Sequence, residues 1–139
     1  MKKILVINDY AVIKGGADAV AISQYKNFTS AGVDVKFFSV VDKNSKNHID
    51  DLFAYPLKPQ NFFKNLFWLK AYKKIKQSFV VDESFIYIVH SWTKQLSPSI
   101  FYALRNKKVY VVAHDYFMVC PNGGLFDYKK KQKCNIKGG

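Results

Sequence analysis

An α/β fold built on a doubly wound parallel sheet is what the sequence predicts, and two observations carry it. A strand-like run, a Gly-containing turn, a helical segment and a second strand-like run follow one another at the N-terminus, which is the order of a βαβ unit. The pattern then returns in the second half of the 139-residue chain, so that four short apolar runs alternate with helical stretches.

The first run, 3–8, is short and apolar, of the kind a buried strand gives. Asp9 to Gly16 form a turn. Helical spacing follows over 17–28, with Ala17, Val20, Ala21, Gln24 and Phe28 on or near one face and Gly32 as the C-terminal stop. A second strand is expected over 34–41, from Val35, Phe37, Phe38, Val40 and Val41. Residues 42–60 are polar, contain Pro56 and Pro59, and read as an irregular crossing. Residues 61–79 read as a helix with a stripe of Trp68, Tyr72, Ile75 and Phe79, and with Lys70, Lys73 and Lys74 on roughly the opposite side. A third strand is expected over 85–90. Ser97 as N-cap and Pro98 as the first helical residue open a helix through Arg105. The fourth strand covers 109–114. From Asp115 the chain reads as loop, with a charged turn over 129–133 and no closing helix. A last strand without its covering helix predicts a partly bare sheet face, and hence an N-terminal piece of something longer or a chain completed by another.

One domain is the expectation at this length. Hydrophobic residues make up 49% and charged residues 23%, which excludes an intrinsically disordered chain. No apolar run approaches the ~18 residues of a membrane span. The apolar start turns polar after Ile7, too soon for a secretory signal of ~7–15 apolar residues, so a cytoplasmic chain is predicted. The net charge is +12, yet of 22 basic residues only Arg105 is arginine, the residue suited to bidentate phosphate and guanine contacts. No nucleic-acid motif is present. A Lys-, Asn-, Ile- and Phe-heavy composition accounts for most of the charge as codon bias, and nucleic acid is not an expected partner.

Three places could carry chemistry. Gly15 and Gly16 stand where a strand turns into a helix. Unpaired N–H groups and the positive end of the macrodipole bind anions there, and Gly lets a ligand approach the backbone. Neither the dinucleotide fingerprint nor a P-loop is present, and a plain βα turn fits the residues as well. His90 and His114 fall at the carboxyl ends of strands, where open α/β sheets bind ligands. A histidine there can hydrogen-bond a sugar or phosphate or move a proton. A half-buried ring satisfied by a backbone carbonyl is the alternative, favoured for His90. Cys120 and Cys134, with His114 and Asp115, have a spacing that matches no zinc module, so two reduced thiols and no metal are expected. The Lys-rich 61–79 segment reads as a helix packed on the sheet with a solvated face, or as one that docks on an anionic membrane.

Lys2-Lys3-Ile4-Leu5-Val6-Ile7, the Gly15-Gly16-Ala17-Asp18 turn, Ile88-Val89-His90-Ser91, and the run from Val111 through His114-Asp115-Tyr116 to Cys120-Pro121-Asn122-Gly123 together resemble the N-terminal domain of family 4 glycosyltransferases. The resemblance covers nearly the whole chain, and the His-Asp-Tyr segment is its most specific part. It implies a Rossmann-like domain over 1–139, the acceptor-side half of a GT-B architecture whose C-terminal donor domain is absent. The implied activity is transfer of a hexose, with retention and without metal or cofactor, from a nucleotide-sugar donor to a cell-surface glycan or lipid-linked acceptor. Gly15 and Gly16 take the donor-diphosphate role and His114 the catalytic contact to the donor sugar. Asp18 stands where the family usually carries Glu. Because most of the donor site of such enzymes lies in the second domain, this chain alone is expected to be inactive. The location expected is cytoplasmic, with docking on the inner membrane face the alternative that the Lys-rich 61–79 segment offers. A non-catalytic α/β binding module, docking on a membrane or a partner chain, is the competing expectation.

Overall fold

The computed structural model describes residues 3–41, 49, 52–56, 84–120 and 123–134. Strand β1 (Lys3–Tyr10) leads into helix α1 (Gly16–Ser30), then β2 (Val35–Val41) and β3 (Leu52–Pro56). Strand β4 (Phe85–Val89), the short helix α2 (Ser99–Ala103) and β5 (Val109–Val111) follow, and a small hairpin, β6 (Phe126–Asp127) with β7 (Gln132–Lys133), ends the described chain. The first five strands form one sheet in the order β3-β2-β1-β4-β5, and each neighbouring pair is parallel. The fold is therefore α/β, with the strands' carboxyl ends on one edge.

Strand periodicity divides the core in two. On one face Leu5 and Ile7 pack with Phe38, Val40, Tyr87 and Val89, and with Trp92, Leu96, Ile100 and Leu104 from the segment around α2. On the other, Val6 and Phe37 pack with Ala21, Ile22 and Tyr25 of α1. Successive side chains on a strand point to opposite faces, so a strand covered on both sides is apolar throughout. That is why 4–7 carry no alternation. Edge-on aromatic pairs, Tyr25 with Phe37 at 5.7 Å and Trp92 with Phe101 at 4.8 Å, add about 1 kcal/mol each beyond their burial.

Several expectations are corrected. The 42–60 stretch is not wholly irregular: β3 lies within it and pairs with β2 at the sheet edge. Pro56 ends that strand rather than excluding it, as proline is tolerated on edge strands. The fourth strand covers 109–111 rather than 109–114, although Val112 N–H still donates to Val89 O at 2.9 Å. Helix α2 starts at Ser99, with Pro98 in the cap position. Ser97 instead takes a left-handed φ of 62°, and its Oγ accepts the Ser99 N–H at 3.3 Å. Helix α1 is rolled relative to the expected face: Asp18, Ala21, Ile22 and Tyr25 are buried, while Val20 is 48% exposed. The bulkier Ile22 and Tyr25 take the core, and Asp18 follows them inward because it finds hydrogen-bond partners there. Gly32 does stop α1, with φ of 73° and its N–H on Thr29 O. The 115–134 stretch contains the hairpin and is not all loop. The helix expected over 61–79 lies outside the described residues.

Tyr110 and Val111 on β5 are 49% and 40% exposed, and Tyr116, Phe117, Met118 and Val119 are exposed beyond it. An apolar surface near the fourth main-sheet strand of the sequence reading is thus present. Among the described residues no helix is long and apolar enough to cross a membrane.

Candidate site at the carboxyl ends of the strands

The end of β1 is polar and buried, and two side chains there organise the edge of the sheet. Asp9 is fully buried, an expensive place for a carboxylate unless its oxygens are saturated. They are. Oδ1 accepts the N–H groups of Gln95 and Leu96, both at 2.9 Å. Oδ2 accepts the Ser91 hydroxyl at 2.8 Å and the Lys94 N–H at 2.9 Å. Four donors from one loop converge on one carboxylate, so Asp9 moulds the chain after β4. Asn8, also fully buried, reaches toward α1: its Nδ2 donates to Asp18 Oδ1 and to Tyr10 O, each at 2.8 Å.

Helix α1 begins immediately above. Gly15 is its N-cap, in an extended conformation open to any residue (φ −168°). A Cβ added at Gly16 would meet nothing within 4 Å, and one at Gly15 would make ordinary contact with Asp18 at 3.9 Å. Neither glycine is thus demanded by backbone conformation or by internal packing. The first intrahelical bond of this turn runs from Ala19 N–H to Gly15 O at 3.1 Å, and the N–H groups of Gly16 and Ala17 find no acceptor among the described residues. Asp18, at the third helical position, folds its carboxylate back to take the Lys14 N–H at 3.1 Å. It complements the macrodipole from the buried side and leaves the outer donors open.

His90 and His114 meet at this edge. His90, directly after β4, is buried. Its Nδ1 lies 2.9 Å from His114 Nε2 and its Nε2 lies 2.8 Å from the carboxamide oxygen of Gln24 on α1. Burial, and to a lesser degree the neighbouring His114, hold the His90 ring at about 4 instead of 6.5. The ring is therefore neutral at pH 7 with one proton to place. Gln24 Oε1 can only accept, so that proton sits on His90 Nε2. His90 Nδ1 is then an acceptor, and His114 must offer Nε2–H. The order Gln24–His90–His114 fixes the tautomer of the last ring and leaves His114 Nδ1 with a free lone pair when that ring is neutral.

His114 is exposed and lines a cleft with Ala17, His90, Ser91, Asp115 and Phe117. Its cavity of about 40 Å³ holds about one water, whose share of liquid is ~30 Å³. A larger ligand must therefore sit at the mouth, where the exposed Gly15-Gly16 pair leads into Ala17. The far wall is a tight turn in which Asp115 Oδ1 accepts the Phe117 N–H at 2.9 Å and Gly123, at φ 69°, approaches Asp115.

Of the residues singled out from sequence, the structure brings His114 and the start of α1 to one cleft. Gly15 and Gly16 do not themselves line its cavity. His90 is corrected: it is buried rather than half-buried, and side chains, not a backbone carbonyl, satisfy it. Among the described residues no group of three or more His, Cys, Asp or Glu side chains could hold a metal ion. Sequence reasoning missed Asp9, Asn8 and Gln24. For the first two the signal exists, since polar residues ending an apolar strand must find partners, but those of Asp9 lie 82–87 positions away. No family model, curated protein or solved structure matches the chain.

Proposed function

We infer that the chain is the acceptor-side, Rossmann-like half of a GT-B hexosyltransferase that uses a nucleotide-sugar donor and a cell-surface glycan or lipid-linked acceptor. The observation that supports this most is the meeting of the α1 N-terminus with His114 at the carboxyl edge of a parallel sheet ordered β3-β2-β1-β4-β5. Ligands of open α/β sheets bind at that edge.

Glycosyl transfer builds positive charge at the sugar carbon and negative charge on the leaving diphosphate. Open N–H groups of Gly16 and Ala17, aided by the helix dipole, favour that negative charge where it develops. Glycine at 15 and 16, unneeded by the fold, keeps the approach clear. His114, with Nε2–H spent on His90, accepts a sugar hydroxyl at Nδ1. A hexose exceeds the cavity and occupies its open mouth. Work on the inner membrane face is part of the same reading.

Titration calorimetry of the full-length enzyme with a panel of nucleoside diphosphate hexoses tests this, beside transfer assays with lipid-linked acceptors. Binding that Gly16→Val abolishes and His114→Ala weakens is expected. Equal heats for wild type and Gly16→Val end the donor assignment. The exposed apolar surface of Tyr110, Val111 and Tyr116–Val119 favours a second reading, a non-catalytic module that pairs with a partner chain. Absence of any nucleotide-sugar binding or transfer by the full-length enzyme turns the choice to that reading.

A further inference from the structure

The cleft beside His114 is lined by side chains that have given their protons inward. Ser91 O–H goes to the buried Asp9 carboxylate at 2.8 Å. A hydroxyl has one proton and two lone pairs, so Ser91 Oγ can only accept from a ligand. His90 gives Nε2–H to Gln24 and His114 gives Nε2–H to His90, so a neutral His114 ring likewise offers a lone pair. Asp115 accepts the Phe117 N–H at Oδ1, its one hydrogen bond among the described residues, and a carboxylate has no proton to offer. Thr93 carries a hydroxyl that plays either role, and the Trp92 indole N–H is the remaining side-chain donor of the described lining. Charge points the same way. The chain has 22 Lys and Arg and a net charge of +12, yet among the described residues no Lys or Arg lines this cleft, while Asp115 does. Trp92 and Phe117 add aromatic rings to the wall, and the negative face of such a ring attracts cations.

We propose that this cleft binds a primary ammonium group, and that the hexose at its mouth is an amino sugar. The inference rests on the reading of the cleft as a hexose site and deepens it by naming the class of sugar. An ammonium brings three N–H donors and no acceptor, the complement of a lining rich in lone pairs. Its charge meets the Asp115 carboxylate and the aromatic wall in the part of the molecule that the lysines avoid. Size agrees: the cavity of about 40 Å³ takes one water-sized group, which an ammonium is and an acetamido group is not. A hydroxyl fits by size but brings one donor and no charge, and so leaves acceptors of the lining without a partner. Ser91 Oγ and Asp115 take the ammonium, and His114 Nδ1 takes a neighbouring hydroxyl of the same ring. Asp9, which the N–H groups of Lys94, Gln95 and Leu96 hold in place, keeps the Ser91 lone pairs turned outward.

Ligand-observed NMR titration of the full-length protein with glucosamine, glucose and N-acetylglucosamine at neutral pH reads the preference without any variant. Glucosamine should bind about tenfold more tightly than glucose, the combined effect of one partly exposed charge contact and one cation–aromatic contact, and N-acetylglucosamine should bind no better than glucose. Asp115→Asn keeps the Oδ1 acceptor for the Phe117 N–H and removes the charge. It should cut the glucosamine preference several-fold and leave glucose binding unchanged, which a merely structural role would not do. Ser91→Ala should weaken glucosamine several-fold, while Asp9 retains its three N–H donors. Equal affinity for glucosamine and glucose, tighter binding of N-acetylglucosamine, no binding of any of the three, or a preference that survives Asp115→Asn overturns the proposal. The donor reading fails separately: nucleotide-sugar binding insensitive to Gly16→Val ends that reading, whereas a glucosamine preference lost in Asp115→Asn upholds the ammonium site whether or not a nucleotide binds.

Discussion

His90 Nδ1 and His114 Nε2 lie 2.9 Å apart, and only one of the two rings is shielded from solvent. The buried one stays neutral down to about pH 4, while the same side chain in the unfolded chain takes its proton near 6.5. Between those values the unfolded state carries a proton that the folded state does not, so acid favours unfolding. Stability contributed by neutral His90 is present above pH 6.5 and is lost as pH falls toward 4, by about 3 kcal/mol over the window. Urea midpoints measured across that window should fall with pH, and His90→Gln should lose this part of the slope. Parallel slopes in the two proteins would contradict the neutral buried ring.

Asp9 makes a sharper claim on stability. Asp9→Ala leaves the N–H groups of Lys94, Gln95 and Leu96 and the Ser91 hydroxyl without their acceptor. Stranded donors cost about 1–3 kcal/mol each where buried, and the set is not additive, so a loss of about 3–5 kcal/mol is expected. Asp9→Asn keeps one acceptor oxygen and should fall between. Chemical denaturation checks both, and a change under about 1 kcal/mol for Asp9→Ala would mean the loop holds its shape without the carboxylate.

Two glycines at this edge should behave in opposite ways. Gly123 sits at φ 69°, where an L side chain is strained by about 1–2 kcal/mol, so Gly123→Ala should lower the melting temperature by several degrees. Gly16 has open space and ordinary φ, and valine is the better helix former, so Gly16→Val should leave stability within about 0.5 kcal/mol of wild type. Its damage should appear in nucleotide-sugar binding alone. A Gly16→Val protein that melts far below wild type would move that glycine's role from ligand approach to folding.

The parallel sheet was legible because its central strand advertises burial on both faces: Leu5, Val6 and Ile7 leave no polar position to read as a surface. Gly32 was legible as a helix stop for a local reason, its left-handed φ. What escaped depends on distant partners. β3 is five residues of an edge strand closed by Pro56, and only its pairing with β2 identifies it. Helix α1 turned toward Ile22 and Tyr25, because side-chain volume outweighed the spacing of small apolar residues. His114 could be marked by its place after a strand, but the ring that sets its tautomer is 24 residues earlier and Gln24 is 66 residues before that ring. Such a chain of contacts exists only once the sheet has brought the strand ends together.

His114→Ala separates a chemical role from a supporting one. The ring is exposed, so its removal should open no core cavity. It does leave His90 Nδ1 without its donor, which should cost about 1–2 kcal/mol, a small part of a domain's stability. If His114 serves only to hold the Asp115 turn, that modest loss is the whole effect and turnover in the folded fraction stays normal. If it meets the donor sugar as proposed, kcat of the full-length enzyme in the transfer assay should fall ~10²–10³-fold while KM for the donor moves little, since the contact strengthens as charge develops. Gln24→Leu supplies the complementary variant. It removes the acceptor that pins the His90 proton to Nε2, frees both rings to exchange tautomers, and leaves the His114 side chain in place. A partial fall in kcat with a displaced pH profile is expected for Gln24→Leu, because only the orientation of a proton has been altered. Melting temperature and turnover measured on the same preparations give the answer, and full turnover in folded His114→Ala would end the catalytic assignment.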